Sequence, residues 1–152
     1  MKGLRLGAGT RDRQALMDQL IRNESLRLYP YVDTVGKITI GVGRNLSDKG
    51  LSSAEAMMLL DHDVDEVITD LAGSFPWFCD LDSVRQRVLC DMRFNLGPSR
   101  FRGFKRMLRA LGEKDYPKAA AAMRDSLWFL QTKTRGVRLV KMMLTGREEE
   151  DA

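Results

Sequence analysis

The stretch Asn23–Asn45, NESLRLYPYVDTVGKITIGVGRN, decides how this chain is read. Before it, Leu16, Leu20 and Ile21 recur at helical spacing with Met17 beside them, and Thr10 can cap, so a helix is expected over about residues 11–23. Within it, alternating apolar residues are broken by glycine turns, in LRLYPYV, TVGK, KITIGVG and then NLSDKG. That pattern predicts a small antiparallel sheet of short strands, with Pro30 at an edge or a strand end. After it, Ser52 and Glu55 form a capping box, and Ala56, Leu59, Leu60, Val64, Val67 and Leu71 mark a long helix that Gly73 and Pro76 bring to an end.

From Leu81 onward the pattern stays helical. DSVRQRVLCDMRFNLG has Asp82 as its cap and stops at Gly97-Pro98; GFKRMLRALGEKDY, PKAAAAMRDSLWFL with Pro117 near a helix start, and RGVRLVKMMLTG follow. The expected fold class is therefore α+β and predominantly helical, in two lobes. A single domain over residues 1–152 divides into a sheet-bearing lobe at about 12–60, a joining helix at about 52–73 and a helical lobe at about 74–147.

Composition narrows the class. With 43% apolar and 30% charged residues in 152, the chain is neither disordered nor fibrous. It shows neither a membrane-length apolar run nor the apolar core of a signal peptide, so synthesis in a cytoplasm is expected. Cys79 and Cys90, with the lone His62, make no metal-ligand pattern; both thiols are read as reduced and buried, and no metal or cofactor is expected. The nine methionines are read as core filler. Residues 1–72 carry 9 Lys/Arg against 11 Asp/Glu, and residues 73–152 carry 16 against 10, four of those acids in the tail EEED. The basic second half suits an anionic polymer.

The carboxylates point to chemistry. Cleaving a glycosidic bond needs one carboxylic acid that stays protonated and one carboxylate that stays charged. Glu24 ends the first helix, where the negative end of the dipole and apolar Leu20, Ile21, Leu26 and Leu28 would raise its pKa. Asp33 falls in the turn YVDTVGK, where loop amides can hold its ionised form, and Thr39 could present a hydroxyl to an attacking water. The pair Gly41 and Gly43 lacks the third glycine and the Lys-Ser/Thr of a nucleotide loop, and reads as tight backbone.

The whole arrangement resembles the phage-type lysozymes of glycoside hydrolase family 24. Their pattern of a Glu after the first helix, a Leu-rich strand, Y-x-D-T-x-G and then TIG-x-G stands here as Glu24, LRLYPYVDTVG and ITIGVG. The likeness continues over about residues 12–146, through DHDVDEV and VRQRVLCDMRFNLG to the last helices. It implies Glu24 as general acid, Asp33 as the carboxylate that helps place water and stabilise positive charge, and Thr39 as the water-positioning hydroxyl. It implies Gly43, Asn45, Phe94 and Asn95 as substrate-binding positions, with Trp128 read as core. Relatives often have a His after the Gly-x-Gly, paired with an acid of the joining helix; here the positions hold Arg44 and Asp63, an expected structural ion pair.

The function so implied is an endolysin-type muramidase that cuts the β-1,4 bond between N-acetylmuramic acid and N-acetylglucosamine in bacterial peptidoglycan. The resemblance further implies release from the host cytoplasm to the wall by a holin-type pore. The basic half would be drawn to anionic outer-membrane or wall polymers, and a monomer suits a cleft enzyme acting on an insoluble polymer. Two rivals remain: a lytic transglycosylase, and a silent module that binds peptidoglycan or an anionic surface through the cationic stretch FRGFKRMLRAL. Nucleic acid is not an expected partner, because no recognition helix is evident and the tail is acidic.

Overall fold

The computed structural model describes residues 3–148; Glu149, Glu150 and Asp151 of the acidic tail lie outside the described residues. Its elements are α1 (Arg11–Glu24), β1 (Arg27–Val32), β2 (Ile38–Gly41), β3 (Arg44–Asn45), α2 (Ser53–Ser74), α3 (Ser83–Leu96), α4 (Pro98–Arg102), α5 (Lys105–Gly112), α6 (Tyr116–Arg124), α7 (Leu127–Thr132) and α8 (Thr134–Thr145). A 3-10 turn, Phe78–Asp80, precedes α3. The protein is thus predominantly helical with a small N-terminal antiparallel sheet. It groups into two compact units divided between Met57 and Met58, and α2 runs through that division.

The first unit starts from a cap. The Thr10 hydroxyl accepts the Arg13 N–H at 3.2 Å and begins α1, as the sequence predicts. The sheet has the order β1-β2-β3, with Tyr31 opposite Thr39 and Thr39 opposite Asn45. Pro30, which has no N–H to give a ladder, lies on the edge strand β1 within a register irregularity between Arg27 and Tyr31. At the start of α2, Glu55 N–H donates to the Ser52 hydroxyl at 3.1 Å and Ser52 N–H donates back to Glu55 Oε2 at 3.1 Å, which completes the capping box.

The second unit holds the hydrophobic core. Leu71, Val88, Leu89, Met92, Phe101, Met107, Leu111, Met123 and Met143 are fully buried there. Four of the methionines therefore do fill the core, whereas Met17, Met57 and Met58 are exposed. Arg85 ties the unit's ends together: its Nε donates to Met143 O at 2.7 Å and its Nη2 to Leu144 O at 3.1 Å, while its guanidinium stacks 3.7 Å from the Tyr116 ring centroid.

Two expectations change. The segment PKAAAAMRDSLWFL does not form one helix, because Ser126 accepts the Phe129 N–H at 3.2 Å and donates to Met123 O at 2.6 Å, closing α6 and capping α7. The cysteines are free, but Cys79 is exposed and only Cys90 is half-buried, where burial pushes its thiol pKa up.

Candidate active site

Glu24 is the last residue of α1. Ser25, next along, takes φ +66°, a conformation that costs an L side chain of order 1 kcal/mol or more, and its N–H donates to Ile21 O at 2.9 Å. This turn stops the helix at the carboxylate and sends the chain into β1. Across the first unit, the tip of the β2–β3 connection faces Glu24. A Cβ placed on Gly43 would stand 3.0 Å from Glu24 Oε2 and 3.2 Å from its Cδ and Cγ. The expected wrapping by Leu20, Ile21, Leu26 and Leu28 is absent, since all four are exposed.

Asp33 is held by its own loop. Its Oδ1 accepts Val35 N–H at 3.0 Å and Lys37 N–H at 2.8 Å, and its backbone N–H donates to Lys37 O at 2.9 Å. Two amides converging on one carboxylate oxygen fix its direction. The turn delivers the chain to β2, where Thr39 is 4% exposed, the one buried polar residue of its unit among those described. Its Oγ1 donates to Lys37 O at 3.2 Å, so the hydroxyl is oriented and keeps its lone pairs to accept from another donor.

The remaining predicted residues divide. Asn45 is engaged in the turn that follows it: its Oδ1 accepts Asp48 N–H at 3.0 Å, and its Nδ2 donates to Asp48 Oδ2 at 3.0 Å. Arg44 is taken up by Glu55, with Nη1 2.6 Å from Oε2 and Nη2 3.0 Å from Oε1, a fork-to-fork geometry that uses both carboxylate oxygens. The guanidinium and the Ser52 amide hold the Glu55 carboxyl down at about 2. Asp63, the partner inferred from sequence, stands exposed on α2 and belongs to the second unit. Glu55 wins Arg44 because the capping box already fixes its carboxylate eleven residues away.

In the second unit Phe94 is exposed on α3, and the neighbouring Asn95 accepts the Trp128 indole N–H at 3.1 Å. Trp128 is buried, edge-on to Phe104, in the core role expected of it. No group of three or more His, Cys, Asp or Glu among the described residues could hold a metal ion.

These features meet the comparisons with known proteins at one point. The phage lysozyme family model matches residues 21–150, a span that starts just before Glu24 and takes in every candidate site residue above. The chain belongs to the phage lysozyme family. Membership supports lysozyme-like glycosidase chemistry in general, with peptidoglycan as a consistent substrate. Among relatives of this phage lysozyme chain, a probable T4-type lysozyme 2 of Dictyostelium discoideum is 28% identical, the match covering 90% of this chain and 97% of that protein. An endolysin of Salmonella phage P22 is 34% identical over 68% of this chain and 75% of its own length. The pre-baseplate central spike protein Gp5 of Enterobacteria phage T4 is 29% identical over 89% of this chain, which spans only 28% of that longer protein.

Sequence reasoning missed a partly buried ionic cluster in this phage lysozyme's second unit, built around buried Arg93. Asp70 of α2 accepts Arg93 Nε of α3 at 2.7 Å, and its two oxygens accept Arg102 Nη2 of α4 at 2.5 Å and Nη1 at 3.2 Å. The two guanidinium groups, Arg102 foremost, hold the Asp70 carboxyl well below the usual carboxylate range. The available signal was an arginine at position 93 beside buried Met92 and one turn from Leu89, since Asp70 lies 23 residues from Arg93 and 32 from Arg102 in sequence. Also missed was the strained Ser25, at a position where glycine would be unstrained.

Proposed function

We propose that this protein is an endolysin-type muramidase that hydrolyses the β-1,4 bond between N-acetylmuramic acid and N-acetylglucosamine in bacterial peptidoglycan. The observation that carries the reading is the placement of Glu24, at the end of α1 and against the β2–β3 turn, in the same unit as the amide-held Asp33 and the oriented Thr39. Glu24 donates its proton to the glycosidic oxygen as that bond breaks, and the electron pair of the bond leaves with the oxygen. Positive charge grows at the anomeric carbon, where the fixed negative charge of Asp33 stabilises it. Water, oriented by a hydrogen bond to the Thr39 hydroxyl, adds to that carbon and passes its proton to the Asp33 carboxylate. A monomer made in the host cytoplasm and let through to the wall by a holin-type pore fits this role.

A lytic transglycosylase is the nearer rival. Such an enzyme closes the muramyl ring on itself with one acid/base group, so the built hydrogen-bond cradle of Asp33 favours hydrolysis. The silent surface-binding module is less well supported. In FRGFKRMLRAL the apolar residues Phe101, Met107, Ala110 and Leu111 are spent on the core, which leaves Lys105, Arg106 and Arg109 as a solvated face with no free apolar side.

Muropeptide analysis of peptidoglycan digested by the wild-type protein and by Glu24→Gln tests the reading. Reducing-end N-acetylmuramic acid from the wild type, with the variant slower by about 10²-fold or more, is the expected result. Anhydro-muramyl ends would make it a transglycosylase, and no soluble product from either protein would remove the catalytic reading.

A further inference from the structure

We propose that Gly43 is a positioning residue for the acid: its bare Cα sets where the Glu24 carboxyl stands. The inference rests on the muramidase reading of Glu24, and it gives Gly43 a different job from substrate contact. A methyl group at Gly43 would lie 3.0 Å from Glu24 Oε2 and 3.2 Å from its Cδ and Cγ, tighter than nearly all Cβ contacts, so one partner has to give by a few tenths of an ångström. Gly43 is fixed by the strand pairing just beside it, Ile40 opposite Arg44, and by the hold of Glu55 on Arg44. The Glu24 carboxylate is the free end of a three-bond side chain. The carboxylate therefore yields, and the fold does not.

A general acid works only within hydrogen-bond reach of the oxygen it protonates, and a misplacement of about 1 Å costs up to about 10²-fold in rate. Displacement by a few tenths of an ångström falls on the rate of the chemical step rather than on binding. The fold supplies its own control. Gly43 has φ +62° and Gly50 has φ +61°, so alanine is equally strained at both, but a Cβ on Gly50 meets nothing within 4 Å. The two positions share the backbone demand, and only Gly43 has the contact with Glu24.

The test compares Gly43→Ala and Gly50→Ala in thermal melts, in kcat and KM on soluble uncross-linked glycan strands, and in the 13C resonance of the Glu24 carboxyl, assigned by its loss in Glu24→Gln. Both variants are expected to melt lower by a similar amount. Gly43→Ala is expected to lose about tenfold in kcat with KM held, and to move the Glu24 resonance, while Gly50→Ala keeps both. Wild-type kcat in Gly43→Ala would overturn the proposal, as would a raised KM with kcat retained, which would mark a substrate contact. An equal loss of kcat in Gly50→Ala would assign the effect to backbone strain, and failure of Gly43→Ala alone to fold would show that the fold, not the carboxylate, yields. If the wild type itself turns over no glycan, the muramidase reading fails, and the Glu24 resonance alone then decides the role of Gly43: moved in Gly43→Ala only, it stands; unmoved, it falls.

Discussion

Asp70→Asn should be among the most destabilising single-atom-scale changes available to this protein. The Arg93 side chain is 8% exposed, and its strong partner is Asp70 at 2.7 Å; its other acidic neighbour, Glu66, is at 3.8 Å and three-quarters exposed. The substitution keeps an acceptor oxygen but removes the negative charge shared by Arg93 and Arg102. Removing one member of a fully buried pair costs about 3–5 kcal/mol because the other is left charged and dry. Asp70 keeps one-fifth of its side chain exposed, so water screens part of the loss, and about 2–3 kcal/mol is expected here. In a chain of this length that is a fall of roughly 5–10 °C in Tm, read by calorimetry at pH 7. Arg93→Met should cost less, since it removes the buried charge itself and leaves Asp70 paired with Arg102. The sign in pH follows from the lowered carboxyl: its contribution is fully present above the ordinary Asp value near 3.8 and is lost as pH falls toward the folded value. Wild-type stability should therefore fall more steeply below pH 4 than that of Asp70→Asn. The reasoning is refuted if Asp70→Asn melts within 2 °C of wild type, or no lower than Asp125→Asn, whose pair with Arg106 is more than two-thirds exposed on both sides.

Asp33→Asn should separate chemistry from folding: the amide oxygen can still accept Val35 and Lys37 N–H, so the melting temperature should hold while muropeptide release falls by about 10²-fold or more. A variant that unfolds instead would show that the charge, not the acceptor, holds the turn. Arg44→Ala and Glu55→Gln should each lower Tm, and the double variant should lose no more than the worse single one, whereas Asp63→Asn should leave it unchanged. Because the Glu55 carboxyl sits at about 2 against an unperturbed 4.5, this contribution is present above pH 4.5 and fades as pH falls toward 2, a slope that Glu55→Gln removes; additive Tm losses would sink the pairing.

The placement of the candidate site residues was legible where it is local. Glu24 at a helix end, Asp33 in a tight turn and Thr39 on the next strand lie within sixteen residues, and backbone preferences alone bring each to its element. The partner of Arg44 was misread because charge patterning offers several acids, and only the capping-box geometry shows which carboxylate is already held in place. The break at Ser126 was hidden because PKAAAAMRDSLWFL has helical propensity on both sides of a cap whose hydroxyl contacts only the structure displays.

By itself, then, the sequence determined most of the elements and the fold class, because caps, glycine turns and apolar periodicity act over a few residues and need no distant partner. Its likeness to a known family marked Glu24, Asp33 and Thr39 as candidates. Tertiary structure alone decided which charges pair, what a side chain at Gly43 would meet, and that Arg93 can be buried at all. Each of these depends on groups from separate elements meeting within about 3 Å, where removal from water makes an unmatched charge or a misplaced atom costly.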